Sequence, residues 1–122
     1  MGSTRVPTTP TTPTRLLDTR AGIGALGPDG VTALQVAGVA GIPTDATSVV
    51  LNVPGVAPTQ STFITVYPDG TTRPATSDLN VGAGRTVPNL VVVPIGANGE
   101  VDFYNHIGQT NVVADVAGYF AD

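Results

Sequence analysis

No stretch of ten or more residues places apolar side chains at helical spacing without an interrupting Gly or Pro, whereas short Val, Ile, Leu and Thr runs recur between turn signals. That pattern predicts strands, over residues 15–20, 31–36, 48–53, 62–67, 77–81, 87–94, 100–105 and 111–120. Eight such runs predict an all-β domain, an antiparallel sandwich of about eight strands resembling a jelly roll. Turn chemistry supports the count. Gly27-Pro28-Asp29-Gly30 and Tyr67-Pro68-Asp69-Gly70 set Pro where φ is fixed and Gly where positive φ is tolerated. Ala97-Asn98-Gly99-Glu100 is the strongest hairpin signal. Asn-Gly supplies the two positive φ values of a type I′ turn, predicting that residues 90–95 pair with 101–105.

Several runs, Val91-Val92-Val93 and Val112-Val113-Ala114 among them, are apolar at consecutive positions rather than alternating. Strands covered on both faces have that look. A two-sheet sandwich leaves one face of each sheet wet, so a further covering layer is expected, and another copy of the chain is the simplest source. Composition agrees: charged residues make up 11%, and five Arg with no Lys face nine acidic residues for a net charge of −4. A surface so poor in charge resists association weakly. Without a basic stripe, nucleic acid is excluded as a partner. Cysteine is absent, which removes disulfides, thiolate metal sites and a Cys nucleophile. No apolar run approaches the ~20 residues that span a bilayer, so no membrane insertion is expected.

Residues 4–14 form a Pro/Thr tract that suits neither a helix nor a central strand, because Pro lacks an N–H and has φ fixed. Residues 1–14 are therefore read as a linker or extended arm, with Met1-Gly2-Ser3 as an expression start, and residues 15–122 as the sandwich. The arm is expected either to space the domain or to lie against a neighbouring subunit's sheet edge, as in strand addition.

Polar residues inside the strands are the candidates for chemistry. Simple alternation puts Asp115 on one face with Val113, Ala117 and Tyr119, where a carboxylate needs a partner. Arg15, Asp18 and Arg20 on the first strand supply one, and a structural ion pair joining the two termini is expected. Asn52, Asn80 and Asn89 sit within apolar runs, where Asn is disfavoured. They are read as buried pins satisfying backbone groups at bulges or strand ends; sugar ligation is the sharper alternative. Tyr67, Tyr104 and Tyr119 are the tyrosines available to stack on a sugar ring. Catalysis has little to stand on: His106 is the lone histidine, and the four Ser lie outside a Gly-x-Ser-x-Gly elbow. Asp69, Asp78, Glu100 and Asp102 are the acids available for paired-carboxylate chemistry, but their spacing does not require it. The Pro-Asp-Gly turns carry one carboxylate each, too few for a calcium loop. No metal, cofactor or catalytic residue is expected.

A set of motifs runs through the chain: Pro13-Thr14-Arg15-Leu16-Leu17-Asp18-Thr19-Arg20, Val49-Val50-Leu51-Asn52-Val53, and Phe63-Ile64-Thr65-Val66-Tyr67-Pro68-Asp69-Gly70 followed by Arg73-Pro74. Ser77-Asp78-Leu79-Asn80, Val87-Pro88-Asn89-Leu90-Val91 and Val113-Ala114-Asp115-Val116-Ala117-Gly118-Tyr119-Phe120 complete it. Together they resemble an accessory β domain of secreted actinobacterial multidomain proteins, often joined to hydrolases or adhesin-like modules through Pro/Thr linkers. The resemblance implies a secreted or cell-surface location and a non-catalytic role such as attachment to cell wall or extracellular matter; with the low charge and the doubly apolar strands, the leading expectation is a homo-oligomeric surface module for adhesion or self-assembly. The alternative is a carbohydrate-binding or cell-wall-binding accessory domain of a secreted hydrolase. Asn52-Val53-Pro54-Gly55 departs from the pattern, and Pro54 is expected to end the ladder or mark an edge.

Overall fold

A computed structural model describes residues 8–121. Ten strands form two antiparallel sheets: β1 (Thr8–Asp18), β2 (Gly30–Gln35), β3 (Ser48–Asn52), β4 (Gly55–Val56), β5 (Thr62–Pro68), β6 (Leu79–Val81), β7 (Thr86–Val87), β8 (Leu90–Pro94), β9 (Glu100–Asn105) and β10 (Asn111–Phe120). Two breaks account for the excess over eight. β3 and β4 follow β10 in one register, Asp115 opposite Asn52 and Val112 opposite Gly55. β8 and β7 likewise continue one register against them, Asn52 opposite Leu90 and Gly55 opposite Val87. The gaps fall at Pro54 and Pro88, which have no N–H to give the ladder. Pro54 thus interrupts its strand as expected, and eight strand lines remain.

Their pairing is nested: β1 with β10, β2 with β9, β3 with β8 and β5 with β6. First pairs with last, second with second-last, and so inward, which is the order of a jelly roll. The first sheet holds β1, β10, β3 with β4, and β8 with β7; the second runs β2, β9, β5, β6. Val49, Leu51, Val91, Val93, Val112, Ala114 and Val116 of the first sheet meet Ile64, Val66, Leu79, Val81, Val101 and Phe103 of the second. The core is thus aliphatic around one buried aromatic ring, as the composition requires. No helix among the described residues is long and apolar enough to cross a membrane.

Three expectations change. The Pro/Thr tract is neither wholly a spacer nor laid on a neighbouring subunit: among the described residues, Thr8, Thr9, Pro10 and Thr14, ahead of Arg15, already pair with β10 of the same chain. Thr11, Thr12 and Pro13 bulge out of the ladder, and β1 lies on an edge, where missing donors are tolerated. The reading of Met1-Gly2-Ser3 falls outside the described residues. Asn98 and Gly99 have φ of 59° and 76°, as a type I′ turn requires, yet the turn joins strands of different sheets. β8 pairs with β3, and β9 with β2 and β5, because Val91 and Val93 face Val101 and Phe103 across the core rather than beside them in one sheet. Finally, a bulge at Ala117 resets the alternation of β10. Asp115 stays on the outer face opposite Asn52, while Tyr119 comes opposite Val49 and packs against the core. The two are therefore not on one face. Gly118 makes room for the arm at this bulge, since a Cβ there would stand 2.8 Å from the Thr9 carbonyl oxygen.

Candidate functional site

Arg15, Asp18, Arg20 and Asp115 do form one network. Arg15 stands directly opposite Asp115, and its Nε donates to Asp115 Oδ1 at 2.9 Å. Arg15 Nη1 also lies 3.7 Å from Asp18 Oδ2, and Asp18 accepts Nε and Nη2 of Arg20, both at 2.9 Å, as well as the Arg20 backbone N–H at 3.1 Å. Asp18 caps the 3-10 turn that follows β1, and its arginine contacts hold its carboxyl below the usual range. The pairing is on the outer face, with Asp115 27% exposed, so no charge is sunk in the core. The network fixes the register of the first strand against the last.

The three asparagines have different fates. Asn89 donates its amide to the Asp78 carbonyl at the break between β7 and β8, the strand-end role expected of it. Asn52 is half-buried on the outer face between Asp115 and Leu90. Asn80 is exposed, so it is no buried pin; Leu79 and Val81 on either side supply the core contacts. The buried asparagine is Asn105, which sequence reasoning missed. Its Nδ2 donates to the carbonyls of Leu26, Gly27 and Gly108 at 3.0, 3.1 and 3.0 Å, and its Oδ1 accepts Thr62 Oγ1 at 2.8 Å. The available signal was its position where the β9 run gives way to His106-Ile107-Gly108. Thr19, fully buried, acts similarly, donating to Asn111 Oδ1 and accepting the Val112 N–H.

The outer face of the second sheet carries Phe63, Tyr67, Tyr104 and His106 among polar side chains. Register places Asn80, Phe63 and His106 in one row across β6, β5 and the end of β9: Phe63 is opposite Asn80, and the His106 N–H donates to the Phe63 carbonyl. Thr65, Tyr104 and Val31 form the next row, and Tyr67, Asp102 and Ala33 the third. Residues 69–78 fold over the last two rows. Thr65 Oγ1 donates to the Thr76 carbonyl, the Val66 N–H to Asp78 Oδ2, and the Arg73 guanidinium sits 3.8 Å from the Tyr104 ring centre. Tyr67 and Tyr104 are consequently 7% and 4% exposed, and the Tyr104 hydroxyl is tied to Asp29 Oδ1 at 2.6 Å. That bond raises the Tyr104 pKa, while burial raises that of Tyr67. Neither offers a free face, and Tyr119 lies against the core of the other sheet. The tyrosines therefore do not make a stacking platform.

Beneath the same loop, burial, and then a hydrogen bond that the protonated Asp102 carboxyl donates to the Asp69 side chain, push the Asp102 carboxyl up to about 6. One Asp102 oxygen, Oδ1, has no protein partner. Among the described residues, no three His, Asp or Glu side chains gather as a metal site requires. The first row stays open. Ser61, Phe63, Asn80, Val81, Gly82 and His106 line a pocket of about 340 Å³, in which the His106 ring stacks on Phe63 at 4.5 Å between centres and 22° between planes.

The second feature open to a partner is the edge of the first sheet. β8 alternates: Val91 and Val93 are buried, while Leu90 and Val92 are 62% and 57% exposed. The Val53 N–H donates to the Asn89 carbonyl at 2.7 Å and the Ile95 N–H to the Thr47 carbonyl at 2.9 Å, so odd-numbered residues bond to β3. Leu90 and Val92 then turn their N–H and C=O groups to the open side. Within this chain Val91-Val92-Val93 is covered on one face, whereas Val112, Val113 and Ala114 are all buried. No family model matches this chain, and comparison with curated proteins found no match.

Proposed function

We propose that this chain is a non-catalytic module of a secreted or cell-surface actinobacterial protein, and that it works by associating with a second copy of itself. The location and the accessory role follow the motif resemblance that runs from Arg15 to Phe120. The observation that carries self-association is the open β8 edge, on which unpaired backbone groups coincide with two exposed aliphatic side chains. Residues 86–99 carry no charge to repel a like strand. Antiparallel pairing of β8 with its own copy satisfies the free groups of both chains and consumes both edges, so assembly through this edge stops at two. Pro88 and Pro94 bound the ladder, because neither donates.

The polar residues offered for chemistry support a non-catalytic reading by what they do: Asp115, Asp18 and Asp29 hold arginine or tyrosine groups. Val92→Lys tests the reading. Its side chain already faces solvent, so the fold is retained while a charge enters the edge. Sedimentation of the wild type should show dimers at high micromolar concentration and of the variant only monomers. Equal association of the two proteins, or a wild-type monomer, overturns it.

A further inference from the structure

We infer that the row of Asn80, Phe63 and His106 is a binding site for a neutral pyranose ring of a polysaccharide. The inference stands apart from self-association, which uses the other sheet. Three strands bring these side chains together: Phe63 of β5 is opposite Asn80 of β6 on one side and hydrogen-bonded through its backbone to His106 on the other. The loop that covers Tyr104 and Tyr67 in the neighbouring rows leaves this row open, and the resulting pocket of about 340 Å³ falls in the size range of small-ligand clefts.

The fold has little use for these groups. Asn80 is an exposed asparagine inside a strand, a disfavoured placement, and its side chain makes one long contact, accepting Ser77 Oγ at 3.4 Å. Its amide N–H groups are free to donate. Ser61 Oγ accepts the Ala83 N–H at 3.1 Å, which leaves its own hydroxyl proton for a ligand. His106 is exposed yet held in place by its stack on Phe63 and by a 3.4 Å contact to the Tyr104 hydroxyl. An aromatic floor from Phe63 is thus rimmed by an amide, a hydroxyl and an imidazole, with no Arg, Asp or Glu in the lining.

That combination matches the chemistry of a sugar. A pyranose presents apolar C–H faces to an aromatic surface and, in the ring plane, hydroxyls that both donate and accept. The uncharged lining disfavours phosphate or carboxylate ligands, which need cationic partners. A purely aliphatic ligand would leave the amide and hydroxyl unsatisfied.

The test is a titration of the isotope-labelled wild-type chain with cellohexaose, chitohexaose and mannohexaose, each to millimolar concentration, followed by backbone amide NMR. The site predicts that at least one sugar moves the amides of Ser61, Phe63, Asn80, Gly82 and His106, with saturation, and that Asn80→Ala and His106→Ala each weaken it about tenfold or more. Both positions are exposed, and unchanged thermal unfolding of the variants separates lost binding from lost fold. Val92→Lys should bind as the wild type does. No movement with any of the three sugars, movement centred elsewhere, or undiminished binding by both alanine variants overturns the inference.

Discussion

Single residues hold this sandwich by hydrogen bonding at places where the ladder fails. Asn105 fills a gap among three carbonyls at the end of β9, and Asn89 does the same at the Pro88 break. Asp102 is the exception, a carboxyl beneath the 69–78 loop beside Asp69. Its folded pKa of about 6 lies above the ordinary 3.8, so the folded state holds this proton more tightly than the unfolded chain does. The associated stability is complete below pH ~4 and is lost as the pH rises through ~6. Asp102→Asn supplies a permanent N–H donor to Asp69 and removes the buried charge. It should stabilise the protein by about 1–2 kcal/mol at pH 7.5 and flatten the pH dependence of thermal unfolding between pH 4 and 7. A variant less stable than the wild type at pH 7.5 would refute this account of Asp102.

At the scale of elements, the sequence exposed what local pattern controls. The strand runs, the prolines that interrupt two of them and the positive φ of Asn98 and Gly99 follow from residue type and short-range sterics. Pairing partners are a different matter, because β8 and β9 are adjacent in sequence yet belong to different sheets, a choice set by which faces meet in the core. The bulge at Ala117 had one signal, Gly118 inside a strand run, but alternation alone carries Asp115 and Tyr119 to one face, and with the slip Tyr119 changes sides. The candidate site was legible only in part: Asn80 and His106 stood out as polar residues, but Phe63 joined them through register. A Pro/Thr composition points to a spacer or to strand addition on a neighbour, whereas the ladder from Thr8 to Asp18 makes this segment an edge strand of its own sheet, a pairing that only the position of β10 decides. Deleting residues 1–13 should therefore lower stability by about 1–3 kcal/mol and speed amide exchange along residues 118–120. Unchanged stability would return the arm to the role of spacer.

The whole molecule is a jelly roll whose two sheets differ in how they treat their outer faces. On the second sheet the 69–78 loop covers Tyr67 and Tyr104 and leaves the pocket row of Asn80, Phe63 and His106 open. The first ends on an uncharged strand with Leu90 and Val92 facing solvent. The nested pairing ties the two termini of the sandwich together, and the network of Arg15, Asp18, Arg20 and Asp115 locks that register, so the frame is closed without cysteine. A frame of this kind positions edges and pockets rigidly. Amide hydrogen exchange at rising protein concentration tests the central claim most directly. The β8 edge predicts that the Leu90 and Val92 amides exchange freely in dilute solution and become protected as concentration rises into the high micromolar range, with the core amides of Val91 and Val93 protected throughout. Leu90 and Val92 amides that exchange equally fast at every concentration would contradict it.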